Sequence, residues 1–203
     1  MLKYLLITLA FIALMLFFKK ETSEVIKLNP TDKILAFGDS ITYGYGESKN
    51  ESYPYLLSQS ANIQVINAGV NGDTSKEGLE RLPALLEDSS IKLILLCFGG
   101  NDILQKIPLA EIKNNLKGMI QIAKQKNIGV ILISVPKISP LGLSSINLYS
   151  TLADEEDIEL IDDVLVDVLS RSSLKNDYIH PNAKGYKYMA DEIYEHLKSN
   201  KWI

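Results

Sequence analysis

After residue 30, the chain alternates between short apolar runs and longer segments in which apolar residues recur every three or four positions. The short runs predict strands that are buried on both faces, and the longer segments predict helices with one apolar face. The predicted strands are residues 33–37, 63–67, 92–98, 129–135 and 159–161. The predicted helices are residues 53–60, 75–86, 109–126, 144–154 and 183–199.

Strands that alternate with helices of this length are typical of βαβ units. We therefore predict an α/β fold, a three-layer sandwich with a mostly parallel five-stranded central sheet in a flavodoxin-like arrangement. A chain of 203 residues is long enough for one domain with a substantial core, and no internal repeat is present. We divide the chain into a hydrophobic segment (residues 1–20), a linker (21–30) and a folded domain (31–203).

Residues 1–18 are almost continuously apolar and carry one charged side chain, that of Lys3. The length of this run suits the apolar region of a signal peptide, but the residues that follow lack the small-x-small pattern of a cleavage site. We therefore predict that residues 1–20 form an uncleaved signal anchor that makes the membrane a partner of the protein. The alternative is a cleaved signal peptide and a secreted domain.

Charge and cysteine content exclude several classes of function. The chain has 21 basic and 25 acidic residues, and its first 20 residues contain three lysines and no acid, so the remainder is distinctly acidic. Such a domain repels a phosphate backbone, so nucleic acid is not expected as a partner. The single cysteine, Cys97, lies in an apolar run and is predicted to be a buried, unreactive thiol. The acidic residues at 154–157, with Asp162 and Asp163, lack the spacing of a calcium loop and are interpreted as a solvated helix end.

A candidate nucleophile, Ser40, follows the first predicted strand in a Gly-Asp-Ser turn. In open α/β sheets, ligands bind at the carboxyl ends of the strands, where this serine would lie. A serine hydroxyl needs an adjacent base that is itself oriented by a third group. His180 lies in a polar loop with Asp177 three residues before it, so the carboxylate can reach the imidazole, whereas His196 lies on a predicted helix among charges and is interpreted as solvated.

Two further turns offer groups that can stabilise an oxyanion. Gly72 lies between a predicted strand and a helix whose start is marked by the capping-box spacing of Thr74 and Glu77. Its backbone N–H is unobstructed by a side chain and lies near a positive helix end. Asn101 lies in the turn at the carboxyl end of the third predicted strand, and its amide is a neutral donor suited to an oxyanion. Asp39 is interpreted as a turn-stabilising residue.

Four sequence blocks together resemble the SGNH, or GDSL, hydrolases. The similarity covers about residues 31 to 199, and the stretches 71–86 and 179–182 are similar to the bacterial thioesterase, lysophospholipase and arylesterase branch of that family. The stretch 136–149 departs from that branch, and we expect it to help form the substrate-facing surface. The four blocks are Gly38-Asp39-Ser40, Gly72, Gly99-Gly100-Asn101-Asp102 and Asp177-Tyr178-Ile179-His180.

The resemblance implies a compact α/β hydrolase with Ser40 as nucleophile, His180 as base and Asp177 as the orienting carboxylate. It also implies an oxyanion hole formed by the backbone amides of Ser40 and Gly72 and the side chain of Asn101. No metal or organic cofactor is implied, and exported relatives imply an extracytoplasmic location. Asp102 is interpreted as a strand-end cap or as a support for neighbouring groups.

The sequence therefore predicts a monomeric serine esterase that hydrolyses ester or thioester bonds of small acyl-ester or lipid substrates. One alternative on the same scaffold is a carbohydrate O-deacetylase. Two alternatives from other classes are a flavodoxin-like binding module and a membrane-tethered interaction protein without catalytic activity.

Overall fold

The computed structural model describes residues 27–139 and 142–203. Two 3₁₀ turns, Lys49–Glu51 and Ser172–Leu174, complete the regular structure given below. The strands are β1 (Lys33–Gly38), β2 (Gln64–Gly69), β3 (Ile91–Cys97), β4 (Gly129–Ile133), β5 (Lys137–Ser139), β6 (Gly142–Ser144) and β7 (Glu159–Ile161). The helices are α1 (Ser40–Tyr43), α2 (Tyr53–Ala61), α3 (Ser75–Leu85), α4 (Gly100–Leu104), α5 (Leu109–Gln125), α6 (Asn147–Glu156), α7 (Val164–Ser170) and α8 (Ala183–Ser199).

Five parallel strands form the central sheet in the order β2-β1-β3-β4-β7. Helices α2, α7 and α8 pack together, as do α3, α5 and α6, so that the sheet has a helical layer on each side. The predicted fold class is confirmed. The carboxyl ends of β2, β1 and β3 are aligned, because Gly38 at the end of β1 pairs with Gly69 on β2 and with Cys97 on β3.

The short elements were not predicted. Helices α1, α4 and α7 contain four, five and seven residues, too few to display a helical repeat of apolar positions. The predicted helix at 144–154 begins later, at Asn147, because the preceding residues form the antiparallel pair β5 and β6. By contrast, α3 begins as predicted, with Thr74 and Glu77 in a reciprocal capping box.

The C-terminal residues cover the outer strands of the sheet. Trp202 packs so tightly on Gly129 that a Cβ atom there would lie 2.3 Å from the indole ring. The indole Nε1 donates to Glu159 Oε1 at 2.9 Å, and the other carboxylate oxygen of Glu159 lies 2.7 Å from His196 Nε2. The interpretation of His196 as solvated is therefore wrong, because its side chain is 23% exposed and paired.

Two other sequence interpretations concern buried polar groups. Cys97 is a buried free thiol, as predicted, and burial raises its pKa well above the usual value. The predicted solvated helix end is partly wrong, since Glu156 is buried and forms ion pairs with Lys117 and Lys124 at 3.1 and 3.2 Å. Among the described residues, no group of three or more His, Cys, Asp or Glu side chains is placed to hold a metal ion.

The predicted signal anchor at residues 1–20 and most of the predicted linker lie outside the described residues. Within the part of the chain that the structure describes, none of the helices has the length and apolar character needed to cross a membrane.

Candidate active site

Ser40 lies at the carboxyl edge of the sheet, immediately after the turn that ends β1. The side chain of Asp39 caps the following helix, since its Oδ1 accepts a hydrogen bond from the backbone N–H of Ile41 at 3.0 Å. Gly38 is required by close packing, because a Cβ atom there would lie 2.2 Å from the hydroxyl of Thr42 and 2.5 Å from the carbonyl oxygen of Cys97. The turn therefore fixes Ser40 as the first residue of α1.

The fold brings the predicted base and its carboxylate to Ser40. His180 Nε2 lies 3.0 Å from Ser40 Oγ, and His180 Nδ1 lies 2.8 Å from Asp177 Oδ2. The other carboxylate oxygen of Asp177 accepts the backbone N–H groups of Ile179 and His180, both at 2.8 Å. Three residues that are up to 140 positions apart in sequence thus form one continuous line of hydrogen bonds.

The environment of Asp177 keeps its carboxylate ionised. Partial burial raises its pKa, but the hydrogen bonds from the imidazole and from two backbone N–H groups outweigh burial, so that the pKa is lower than usual. An ionised carboxylate at this position accepts the Nδ1 proton of His180, which leaves Nε2 as the acceptor that faces Ser40.

The loop that carries His180 is held by the segment that follows α1. Tyr45 packs its ring against the imidazole, and its backbone carbonyl accepts the hydroxyl of Tyr186 at 3.1 Å. The amide of Asn176 donates to Glu47 at 2.8 Å. Sequence reasoning missed these contacts, because nothing in a run of tyrosines and glycines indicates a partner some 130 residues away.

Asn101 and Gly72 both border the site. Asn101 Nδ2 donates to the backbone carbonyl of Asp73 at 2.8 Å and lies 3.4 Å from Asp39 Oδ2, so one of its two hydrogens is firmly held and the other weakly. Gly72 adopts a φ of +86°, which favours glycine, and open space surrounds the position of a Cβ atom there. A backbone bond of 3.1 Å from Val70 to Gly38 ties this loop to β1.

Asp102 acts as a support and not as a cap of its own strand. It is fully buried and accepts two hydrogen bonds from Ser75, from the backbone N–H at 2.9 Å and from the hydroxyl at 2.5 Å. Ser75 is the first residue of α3. The neighbouring residues Asn101 and Asp102 therefore bind the two ends of the same short segment and hold the loop of Gly72 in place.

Arg81, which sequence reasoning did not single out, holds the same loop from the other side. Its Nε donates to Asp73 Oδ2 at 2.7 Å, and its Nη2 donates to the carbonyl of Gly38 at 3.0 Å. The guanidinium lies 4.4 Å from the centre of the Phe37 ring. This one side chain thus joins the end of β1 to the loop between β2 and α3.

Asp39 is the most perturbed carboxyl group beside Ser40. Burial raises its pKa, and the carboxylates of Asp102 and Asp73 raise it further, whereas the hydrogen bond from Ile41 lowers it; the resulting pKa is about 7. The group is therefore partly protonated near neutral pH, and its charge changes in the range in which most enzymes are assayed.

An apolar pocket of about 220 Å³ opens beside Ser40, Asn101 and His180. Among the described residues of the predicted substrate-facing stretch 136–149, only Pro136 lines it. Four of the apolar lining residues, Ile41, Ile103, Leu104 and Leu169, come from the short helices α1, α4 and α7, which the sequence did not predict. The apolar lining residues are Ile41, Ile103, Leu104, Val135, Pro136, Leu169 and Ile179, and Lys106 adds a cation.

Comparison with known proteins identifies the family. Residues 36–188 match the sequence profile of the GDSL-like lipase/acylhydrolase family, and this segment includes every residue of the site described above. The chain belongs to that family. The resemblance noted in the sequence is confirmed, and so is the predicted class of enzyme, a serine hydrolase of ester bonds.

Several named enzymes are similar to this chain over most of its length. The thioesterase 1/protease 1/lysophospholipase L1 of Escherichia coli is 32% identical, with 82% of this chain and 84% of that protein covered. The arylesterase of Vibrio mimicus is 30% identical, with coverages of 82% and 90%. The crystal structure of the esterase EstA from Pseudoalteromonas sp., inhibited by monoethylphosphonate, has a TM-score of 0.74 at 28% identity and covers 83% of this chain and 97% of its own.

Proposed function

We propose that this protein hydrolyses carboxylic ester or thioester bonds of acyl substrates by two-step transfer of the acyl group through Ser40. The observation that carries the proposal is the 3.0 Å contact between Ser40 Oγ and His180 Nε2, with Asp177 on the opposite ring nitrogen at 2.8 Å. A serine becomes nucleophilic when a base is within hydrogen-bond reach and is itself oriented. The names of the similar thioesterase, lysophospholipase and arylesterase support the same reaction.

In the first step, Ser40 Oγ attacks the carbonyl carbon while His180 Nε2 accepts the hydroxyl proton. Asp177 stabilises the imidazolium without taking a proton itself, in keeping with its lowered pKa. The imidazolium then protonates the leaving alcohol or thiol, and an acyl-serine ester remains. In the second step, water attacks this ester with His180 as base, and the acid is released as Ser40 regains its proton.

The tetrahedral oxyanion is stabilised by the backbone N–H groups of Ser40 and Gly72 and by the amide of Asn101. The open space at Gly72 leaves room for a substrate to approach its backbone. The Asn101 hydrogen directed at Asp39 is weakly held, because Nδ2 and Asp39 Oδ2 are 3.4 Å apart, so it is the one available to the oxyanion. The other hydrogen keeps the amide fixed on Asp73.

The apolar pocket beside Ser40 holds the acyl chain. Among the described residues, the lining is mostly apolar, with Lys106 as a cation and the buried Asp39 as the one carboxylate, so a neutral hydrocarbon chain suits it. Its volume of about 220 Å³ is below the ~300–1,000 Å³ of pockets for drug-sized ligands, which favours short and medium chains over long ones. An apolar pocket of this volume also favours acyl groups larger than acetyl, which argues against the alternative of a carbohydrate O-deacetylase.

The experiment that tests the function compares the wild type with Ser40→Ala. We expect the wild type to hydrolyse p-nitrophenyl butyrate and to be labelled by a fluorophosphonate, and Ser40→Ala to do neither while keeping the same circular dichroism and melting temperature. Removal of the nucleophile of such a triad lowers kcat by roughly 10⁶-fold. Comparable ester turnover by the two proteins would refute the proposal.

We also propose that the enzyme acts outside the cytoplasm, attached to a membrane by residues 1–20. The apolar run of residues 1–18 and the absence of a cleavage pattern after it support this location. A tether of this kind keeps the active site close to lipid substrates.

A further inference from the structure

A second cavity, with a volume of about 420 Å³, lies between β2 and α2. We call it the β2–α2 groove. Its floor is formed by Asn67 and Gly69 of β2, and its walls carry Tyr43, Lys49, Tyr55 and Gln59. Nothing in the mechanism above uses these side chains.

The groove begins next to Ser40. Tyr43 follows Ser40 by three residues within α1, and side chains at this spacing on a helix are neighbours, with Cβ atoms about 5–6 Å apart. Gly69 lies so close to the same helix that a Cβ atom there would be 2.1 Å from the backbone nitrogen of Tyr43. The near end of the groove is therefore one side chain away from the nucleophile.

The groove and the acyl pocket lie on opposite sides of Ser40. The acyl pocket contacts Gly100 and Val135, which follow β3 and β4, whereas the groove lies on β2. The sheet order β2-β1-β3-β4-β7 places β1, which delivers Ser40, between them. An ester extends in two directions from its carbonyl carbon, so an acyl chain in the pocket directs the alcohol toward the other side.

The free polar groups of the groove indicate which alcohol it accepts. The amide of Asn67 is used within the protein, by the carbonyl of Tyr43 and the N–H of Gly69. Among the described residues, the side chains of Tyr43, Lys49, Tyr55 and Gln59 have no such partner. The two tyrosines are 44% and 46% exposed, and no carboxylate lines the groove in this part of the chain.

Exposed aromatic faces combined with hydroxyl, amide and ammonium groups suit a polyhydroxylated molecule. The C–H face of a polyol packs on a tyrosine ring, and its hydroxyls exchange hydrogen bonds with the surrounding donors and acceptors. We propose that the β2–α2 groove binds the alcohol side of the substrate and that this alcohol is a polyol, of the glycerol or sugar type. This proposal rests on the ester hydrolase function proposed above.

The test uses three esters that share one acyl group: ethyl butyrate, glycerol monobutyrate and 6-O-butyryl glucose. We expect Tyr55→Ala and Gln59→Ala to lower kcat/KM for the two polyol esters about tenfold and to leave ethyl butyrate unchanged. Tyr55→Phe, which keeps the ring and loses the hydroxyl, should lie between Tyr55→Ala and the wild type. Gln121→Ala, an exposed glutamine on α5, is the matched control.

Equal losses of kcat/KM for all three esters, or no loss for any of them, would overturn the assignment of the groove. Hydrolysis of ethyl butyrate would in that case still support the proposed ester hydrolase function. Failure of the wild type to hydrolyse any ester would overturn both proposals. A fourth ester, butyryl glycerol 3-phosphate, shows whether the polyol is phosphorylated or neutral when all four esters are assayed with Lys49→Gln. If Lys49→Gln lowers kcat/KM for the phosphorylated ester alone, the groove is assigned to phosphorylated polyols. An equal loss for all polyol esters, or no loss, assigns it to neutral polyols.

Discussion

The ring of Tyr45 lies 4.5 Å from the imidazole of His180, with the two planes inclined at 36°. The backbone around Tyr45 is itself fixed, because its carbonyl accepts the hydroxyl of Tyr186. Gly46, with a φ of +89°, packs so closely on Asn176 that a Cβ atom there would lie 2.8 Å from the side-chain nitrogen. The imidazole is thus held in position by Asp177 along one ring edge and by an aromatic ring on one face. Tyr45 acts as a positioning residue: its ring packs on the imidazole, and its bond to Ser40 is made by the backbone alone, from the Tyr45 N–H to the Ser40 carbonyl at 3.0 Å.

Tyr45→Ala is expected to lower kcat by up to roughly 10²-fold, because a misplaced base loses its alignment with Ser40. KM should change little, since Tyr45 does not line the acyl pocket. Tyr45→Phe keeps the ring and should restore most of the rate. Steady-state kinetics of both variants check this, with fluorophosphonate labelling as a second readout of the nucleophile. A similar kcat for Tyr45→Ala and the wild type would show that the stacking has no positioning role.

Asn101→Ala tests the oxyanion hole separately from the nucleophile. Loss of one oxyanion donor should lower kcat by roughly 10²–10³-fold with KM nearly unchanged, while labelling of Ser40 becomes slower but persists. Because Asn101 also binds Asp73, the melting temperature must be measured in parallel. An unaltered kcat would mean that Asn101 only anchors the loop of Gly72.

The sequence predicted the parts of the site that depend on local patterns. Ser40 and Asn101 follow apolar strands, and a parallel sheet brings the ends of neighbouring strands together. Asp177 lies one turn before His180, a relation that is visible in the sequence. The sequence alone can indicate these residues as candidates, because each one has a signal within a few positions of itself.

The residues that the sequence did not reveal act through contacts between distant segments. In the sequence, Arg81 has the pattern of a solvent-exposed charged residue on a helix. In the structure, however, its side chain binds both Gly38 and Asp73. Leu104 ends a helix of only five residues, and its role in the pocket depends on where β4 and α7 lie. His196 was misinterpreted for the same reason, since Glu159 is on a strand 37 residues away.

Asp39→Asn should change how stability depends on pH. The folded-state pKa of Asp39, about 7, lies above the ordinary value of 3.8, so the folded protein binds the proton more tightly than the unfolded chain. Wild-type stability must therefore fall as pH rises from about 4 to about 7, by at most about 4 kcal/mol from this group. Asp39→Asn lacks this loss of stability. The free energy of unfolding of the variant minus that of the wild type should therefore increase from about pH 4 to about pH 7.

Urea unfolding of both proteins between pH 4 and pH 8 measures this difference. Asp88→Asn is the control, because hydrogen bonds from Ser90 and Lys33 lower the pKa of Asp88 to about 2. Asp88 is already ionised in both the folded and the unfolded state above about pH 5. The difference in free energy of unfolding between Asp88→Asn and the wild type should therefore stay constant above that pH. A flat difference for Asp39→Asn as well would mean that Asp39 titrates normally.

The N-terminal segment is tested by fractionation. If residues 1–20 remain attached as an anchor, the full chain should sediment with membranes, resist extraction by salt and be released by detergent. A protein that begins at residue 27 should be found in the supernatant. A mature N-terminus between about residues 20 and 25 in a soluble fraction would instead indicate a cleaved signal peptide, without consequence for the chemistry of Ser40.

Leu104→Ala tests whether the pocket beside Ser40 selects the acyl chain. The side chain of Leu104 lines that pocket although the residue is 56% exposed, so its truncation should remove acyl contacts with little cost in stability. Contacts of one to a few methylene groups in an apolar pocket contribute about 1–3 kcal/mol to discrimination, or roughly 10–200-fold. We expect the lower end of this range, about a tenfold decrease, in kcat/KM for p-nitrophenyl octanoate, and no change for p-nitrophenyl acetate.

Leu109→Ala is the matched control, because Leu109 is a leucine of similar exposure (49%) that does not line the pocket. Equal kcat/KM values of the two leucine variants on both esters would mean that the acyl chain binds at another surface of the protein.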